Sequence, residues 1–380
     1  MTALPTFDPG FSTTAMSEVW TATSRANAIL EFEAALALAL GETGLAPADE
    51  AEAVAAACRQ PLADPEAVFA STWVEGTPLF AIVDEVKTRL GNEGQRRWVH
   101  YGATSQDALD TAQILQARQG LTLLESSLIR IAHSMRELVL AHREQPQIGR
   151  TFLQHARPTT FGMRVAMWLV PTLHHLHRMR EVRSGLAVQL GGPVGTRADY
   201  GDVSEEVAAA LGRKLGLASP PHAWHTDRSR ILDVVKAIEG PVGWLAKVAM
   251  DIALLAQSDT AEVTVRSGGS SSMAGKRNPI DPIRALAAAD ACRGAAAMIT
   301  HARPHELDRA LGSWQVEWLA VPLVFQTAAA VCEAMEQTLA TLEVDGERMA
   351  SRVPPEQPPG SVRRQVDQAL SLFDQVVGTA

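Results

Sequence analysis

Cysteine is scarce in this chain: Cys58, Cys292 and Cys332 are the three among 380 residues. An odd, widely spaced set cannot form a disulfide framework and fits a reducing compartment, so a cytoplasmic protein is expected. No Cys-x-x-Cys spacing exists, which argues against a structural zinc site. Positive charge is also short. Lys and Arg number 34 against 43 Asp and Glu, a formal net charge of −9. A protein that clamps nucleic-acid phosphates usually carries the opposite balance, so no nucleic-acid partner is expected. Met1–Gly10 lacks a basic region followed by an apolar core, so no signal peptide is expected. No run of about twenty uncharged apolar residues stands out as a membrane span. Convincing period-two strands are missing. What remains is 46% hydrophobic and 20% charged residues, a globular balance that excludes a disordered chain.

The dominant pattern is Ala/Leu-rich helix. Apolar spacing predicts helices over residues 16–41, 66–90 with a break at Gly76-Thr77-Pro78, 106–119, and 121–144 directly after Gly120. Further helices are predicted over 159–185, 204–215, 228–257, 282–302 and 317–342. Several reach about 25 residues without a clear stop, as bundle helices do. The fold class expected is all-α, built on a long-helix bundle. The chain is divided into an N-terminal helical domain (1–104), a central bundle domain (105–345) and a short Pro-rich linker with a C-terminal tail (346–380). The tail is too short to hold a core of its own.

Three polar segments each run into a long helix. The first is Trp98–Asp107, where Thr104 and Asp107 have the spacing of a capping box. The second is Gly149–Thr160. The third is Ser267–Pro282, where Asp281 suits an N-cap and Pro282 a first helical residue. Helix N-termini carry unpaired N–H groups and partial positive charge. Convergence of all three would make a pocket rich in hydroxyls, amides and cations, suited to a substrate with several carboxylates. Each segment alone reads more readily as a capped turn, since caps are common.

The glycines of the third segment do not fit a Walker A loop, because Ser270 stands where the first Gly is needed and Arg277 follows Lys276. A nucleophile elbow at Ser271 would need Gly at Met273. Gly191-Gly192-Pro193-Val194-Gly195-Thr196 lacks the spacing of a dinucleotide fingerprint. His174 and His177 share a helix face, yet Arg178 and Arg180 adjoin them and no carboxylate or Cys is near, so no metal is expected.

Gly269-Ser270-Ser271-Ser272-Met273-Ala274-Gly275-Lys276-Arg277-Asn278-Pro279 resembles the signature loop of the fumarase/aspartase superfamily. The first two segments resemble the other two shared regions of that superfamily, in order, and the match runs from about Phe11 to Leu342. Within it, His100-x-Gly102-Ala103-Thr104-Ser105-Gln106-Asp107, Arg150-Thr151-x-Leu153-Gln154-His155-Ala156, Gly191-Gly192-x-x-Gly195-Thr196 and Trp224-His225-x-x-Arg228 look most like the 3-carboxy-cis,cis-muconate cycloisomerase branch. Adenylosuccinate lyase is the alternative. It carries a His where this chain has Phe152, and a Glu where this chain has Ile283; both losses argue against adenylosuccinate lyase and are tolerable in the cycloisomerase branch. The signature proline is replaced by Ala274, and the third domain of the superfamily is cut short.

The resemblance implies an enzyme without cofactor or metal. It closes a carboxylated muconate to a lactone in aromatic catabolism, or, in the alternative, eliminates fumarate from a succinyl-type substrate. Lactone closure passes through an aci-carboxylate, which needs preorganised donors aimed at the developing charge. The resemblance assigns proton transfer to Ser271, assisted by the Lys276 charge, with His155 as a further catalytic candidate. Thr104, Ser105, Thr151, Gln154, Ser270, Met273 and Asn278 are implied on the substrate. His100, Arg150, His225 and Arg228 are the expected counter-charges. The resemblance also implies a homotetramer whose active sites draw on several subunits, and no membrane partner.

Overall fold

The computed structural model describes residues 10–355 and 360–378; expectations on residues 1–9, 356–359 and 379–380 lie outside them. Seven helices come first: α1 (Thr14–Val19), α2 (Ala22–Glu42), α3 (Ala48–Cys58), α4 (Pro65–Ala70), α5 (Thr72–Glu75), α6 (Leu79–Thr88) and α7 (Glu93–Arg96). The long helix α8 (Ser105–Ala141) follows, then strands β1 (Pro146–Thr151) and β2 (Gln154–Thr160), α9 (Phe161–Ser184), α10 (Ser204–Leu215) and α11 (Ser229–Ala256). The chain continues through β3 (Val263–Thr264), β4 (Ser267–Gly268), β5 (Asn278–Pro279), α12 (Ile280–His301) and α13 (Ser313–Ala340), and ends in β6 (Glu343–Val344), α14 (Gly346–Ala350) and α15 (Ser361–Val377).

Helices α8, α9, α11, α12 and α13 pack on one another as the bundle. The earlier helices attach through α2, which packs on α3, α8 and α10. Gly120, read from sequence as a stop, lies inside the continuous α8. A Cβ there would sit 2.5 Å from the Phe325 ring, so this glycine lets α13 approach rather than ending a helix. Among the described helices α13 is long and apolar enough to cross a bilayer, contrary to the sequence reading, but 72% of its apolar window is buried inside the protein. Burial among partner helices accounts for its composition. The three cysteine thiols are free and buried.

Two further readings are corrected. The second polar segment is a β-hairpin, not a simple capped turn. Thr151 pairs with Gln154 across a two-residue loop, Phe152 (φ 50°) and Leu153 (φ 62°), both left-handed. That is the hairpin geometry that matches strand twist, usually signalled by Asn-Gly; here the signal is absent. Helix α12 starts at Ile280, and Asp281 pairs with Arg266 (Nε–Oδ2 2.8 Å) instead of capping. The C-terminal tail holds α15, which buries Val366, Ala369 and Phe373 and packs on α9.

The helices fix which segments share an end of the bundle. At 1.5 Å per residue, the 37 residues of α8 span on the order of 55 Å. Its start is bonded to the 189–192 loop and to His225; its end adjoins the β1–β2 hairpin, where Phe161 N–H donates to the Gln145 carbonyl at 2.9 Å. Helix α11 runs between the same two ends: Arg228 before it pairs with Asp110, and Glu262 after it pairs with Arg150.

Candidate active site

The first polar segment is built around Asp107. Its buried carboxylate accepts from Thr104 N–H (3.0 Å), Gly191 N–H (2.8 Å) and Gly192 N–H (2.9 Å), and holds His225 Nε2 at 2.7 Å. The capping box expected from Thr104 and Asp107 is present. One acid thus closes the first turn of α8 and fastens the Gly191–Gly195 loop over it. Gly192 (φ 70°) needs the left-handed region, and a Cβ there would lie 2.9 Å from the Gly102 carbonyl.

His100 stands beside this turn, itself left-handed (φ 59°). Its Nδ1 meets Glu33 Oε1 at 2.6 Å, and Glu33 is buried on α2. Burial opposes the imidazolium, but attraction and hydrogen bonding from Glu33, with Asp107 behind it, raise the pKa above the ordinary histidine value. With Nδ1 tied to Glu33, Nε2 is the nitrogen left to meet a ligand. Thr104 Oγ1 accepts from Arg309 Nη2 at 2.8 Å.

His225 and Arg228, expected as counter-charges, lie at the same end and are buried there against acids. Their side chains are 5% and 1% exposed. Arg228 donates to Asp110 (Nη1–Oδ2 2.8 Å) and to Glu317 (Nη2–Oε2 2.6 Å), while its guanidinium lies 5.0 Å from the Trp224 ring centroid. Burial works against its charge, yet the two acids hold it ionised. Buried and paired with acids, Arg228 and His225 lock the loops before α11 onto α8 and α13. Asp110, Glu317 and Trp314, whose indole N–H donates to Asp110 at 2.9 Å, are the partners that sequence reading missed. Acids on the apolar faces of α8 and α13 were the available signal.

The other two segments stand at the opposite end. The hairpin exposes Thr151, Phe152, Leu153, Gln154 and His155, with Phe152 99% exposed. Arg150, next to its tip, pairs with Glu262, a fully buried acid that also accepts from Gln147 (2.9 Å) and Arg352 (2.9 Å). Burial alone would raise the Glu262 pKa; these donors lower it below the usual carboxylate value. Glu262, too, was missed from sequence.

Beside it, β4 and β5 form a two-stranded ribbon, with Gly268 opposite Asn278, that carries the loop 269–277. Ser270 Oγ accepts from Met273 N–H (3.1 Å), and Asn278 Nδ2 donates to the Gly269 carbonyl (3.3 Å). Ser271, Met273 and Lys276 are exposed. Among the described residues, Ser271 makes no side-chain hydrogen bond and Lys276 no ion pair. A cleft of about 620 Å³ opens beneath the ribbon, with Arg266, Lys276 and Arg277 in its wall. No cluster of His, Cys, Asp or Glu able to hold a metal occurs among the described residues.

Within one chain, then, the structure brings His100, Thr104 and Ser105 together at one end, and Arg150, the hairpin and the serine loop at the other. No hydrogen bond or ion pair joins the two groups directly among the described residues.

A family model described as lyase matches residues 10–294. The chain is 38% identical over 350 residues to 3-carboxy-cis,cis-muconate cycloisomerase of Pseudomonas aeruginosa, covering 90% of this chain and 76% of that protein. It superposes on the crystal structure of 3-carboxy-cis,cis-muconate lactonizing enzyme from Pseudomonas putida with a TM-score of 0.86, at 34% identity, over 97% of this chain and 86% of that one. A fumarate lyase from Mesorhizobium sp. superposes with a TM-score of 0.85 at 31% identity, over 98% and 88% of the two chains.

Proposed function

Because this chain belongs to the lyase family of the fumarase/aspartase superfamily, we propose that it is an intramolecular lyase that closes 3-carboxy-cis,cis-muconate to a carboxymuconolactone. The observation that carries the reading is the uncommitted chemistry of the 269–278 loop. Its Ser271 hydroxyl and Lys276 ammonium have no internal partner, while the buried charges around them are paired. Phe152, at the hairpin tip, cannot transfer a proton, so the second segment supplies no acid at that position.

In lactone closure, one carboxylate oxygen adds to a carbon of the diene. The electron pair moves to the neighbouring carbon and into its carboxylate, giving the aci-carboxylate. Ser271 donates a proton to that carbon, and in the reverse direction its alkoxide takes it back. Lys276 and the glycine-flanked backbone stabilise the alkoxide. His155 adds a second titratable group, and Thr151, Gln154, Ser270, Met273 and Asn278 line the substrate. Arg150, paired with Glu262 through both Nη atoms, sets the field around the hairpin. From the far end of the bundle come His100, Thr104 and Ser105.

The two groups of residues stand at opposite ends of a helix on the order of 55 Å long, which supports a site shared between chains. The reading therefore includes a homotetramer in which another subunit's α8 start faces the serine loop, in a cytoplasmic enzyme of aromatic catabolism. The test is absorbance with 3-carboxy-cis,cis-muconate. Loss of the conjugated diene with lactone as the product is expected. Similarity to a fumarate lyase favours one second reading, elimination from a succinyl-type substrate. Fumarate release from such a substrate, with no lactone formed, would replace the first reading by the second.

A further inference from the structure

The loop between α12 and α13 carries a cation that the site described so far does not use. Arg309 Nη2 donates to Thr104 Oγ1 (2.8 Å) and, more weakly, to the Pro193 carbonyl (3.4 Å). Its Nε is buried without a partner. Among the described residues it makes no ion pair, and Nη1 makes no hydrogen bond. The other arginines of this end are spent: Arg228 on Asp110 and Glu317, Arg197 on the Leu190 and Pro220 carbonyls. Unlike Arg228, Arg309 meets no acid among the described residues, and unlike Arg197, whose three guanidinium nitrogens all donate, it bonds through Nη2 alone. A guanidinium has five donors, and two contacts leave most of them free.

The Thr104 contact has a direction. The hydroxyl oxygen accepts from Arg309, so its own hydrogen is released to donate elsewhere, and no described residue accepts it. The two side chains together present N–H and O–H donors on one side and no acceptor. The loop that carries Arg309 is held in a costly form: Leu307 is left-handed (φ 46°) and 91% exposed, and Leu311 is 88% exposed.

We propose that Arg309 and Thr104 form a carboxylate-binding pair, so that Arg309, 205 residues away in sequence from Thr104, anchors one carboxylate of the substrate at this end of the bundle. The proposal deepens the reading given above and rests on it for the substrate. Arg309 clamps the anion, and the Thr104 hydroxyl, polarised by the guanidinium, donates the second hydrogen bond. The interaction is a binding one, so its loss falls on KM more than on kcat.

The test compares wild type with Arg309→Met and Arg309→Lys as full-length proteins. Thermal melts without ligand should coincide, since Arg309 holds no internal acid. The inert tricarboxylate tricarballylate should raise the wild-type melting temperature, raise that of Arg309→Lys less, and leave Arg309→Met unmoved. With 3-carboxy-cis,cis-muconate, kcat/KM of Arg309→Met should fall on the order of 10²-fold, chiefly through KM, as for loss of a charged hydrogen-bonding pair. Unchanged kcat/KM together with an unchanged tricarballylate shift in Arg309→Met would overturn the pair and leave the enzymatic reading standing. A wild type that is stabilised by tricarballylate through Arg309 yet leaves the muconate intact would sink the enzymatic reading and keep the pair.

Discussion

Asp107 shows how much one side chain organises here. It caps α8, accepts two amides of the Gly191–Gly192 loop and fixes His225. Its local role was visible in the Thr104–Asp107 spacing; its other partners lie more than 80 residues away and were not. His100 offers a test at the same scale. Glu33 raises its folded pKa above the unfolded value of 6.5. A raised histidine pKa adds stability that is fully present below the unfolded pKa and is lost as pH rises through the folded one. Melting temperature should therefore decline above about pH 6.5 more steeply in wild type than in His100→Gln; parallel profiles would remove His100 from the account. Ser271 is the simplest chemical test. With no structural bond to lose, Ser271→Ala should melt like wild type and lose at least about 10²-fold in kcat, the usual scale for a principal proton-transfer group. Full kcat in that variant would end the serine mechanism.

At the scale of elements, helices were read more reliably than their ends. Apolar spacing located the bundle helices because their buried faces recur every three to four residues. Gly120 misled because a glycine inside a helix and one that stops it are the same letter; only the Phe325 ring on α13 separates the cases. Gly120→Val would force its side chain into that ring, and overpacking of this kind should cost about 1–3 kcal/mol, read as a lower denaturant midpoint. An unchanged midpoint would mean that α13 shifts freely. The hairpin escaped notice for a related reason. Phe152 and Leu153 take left-handed conformations that their side chains disfavour, and strand pairing over β1 and β2 compensates.

At the scale of the whole molecule, the bundle is a spacer. Helix α8 holds the Thr104 end and the hairpin end on the order of 55 Å apart. On the proposed reading each chain offers two incomplete halves, and a working site combines halves from different chains. Ser271→Ala and Thr104→Val should each be nearly inactive alone, while subunits unfolded and refolded together should regain activity, because some mixed sites receive both intact halves. Recovery no greater than the sum of the two variants would show that one chain serves its own site.

By itself the sequence determined the chemistry on offer and the helical class. The serine loop, the capped start of α8 and the amphipathic spacing are local patterns, written in consecutive residues and set by short-range hydrogen bonding and burial. Only the tertiary structure decided which charges are spent and which are open. Arg228 and Arg309 are indistinguishable as letters; one is closed between Asp110 and Glu317, the other faces a threonine hydroxyl with donors to spare. That difference depends on partners 89 to 205 residues away along the chain, and the Coulomb and desolvation energies that settle it act through space.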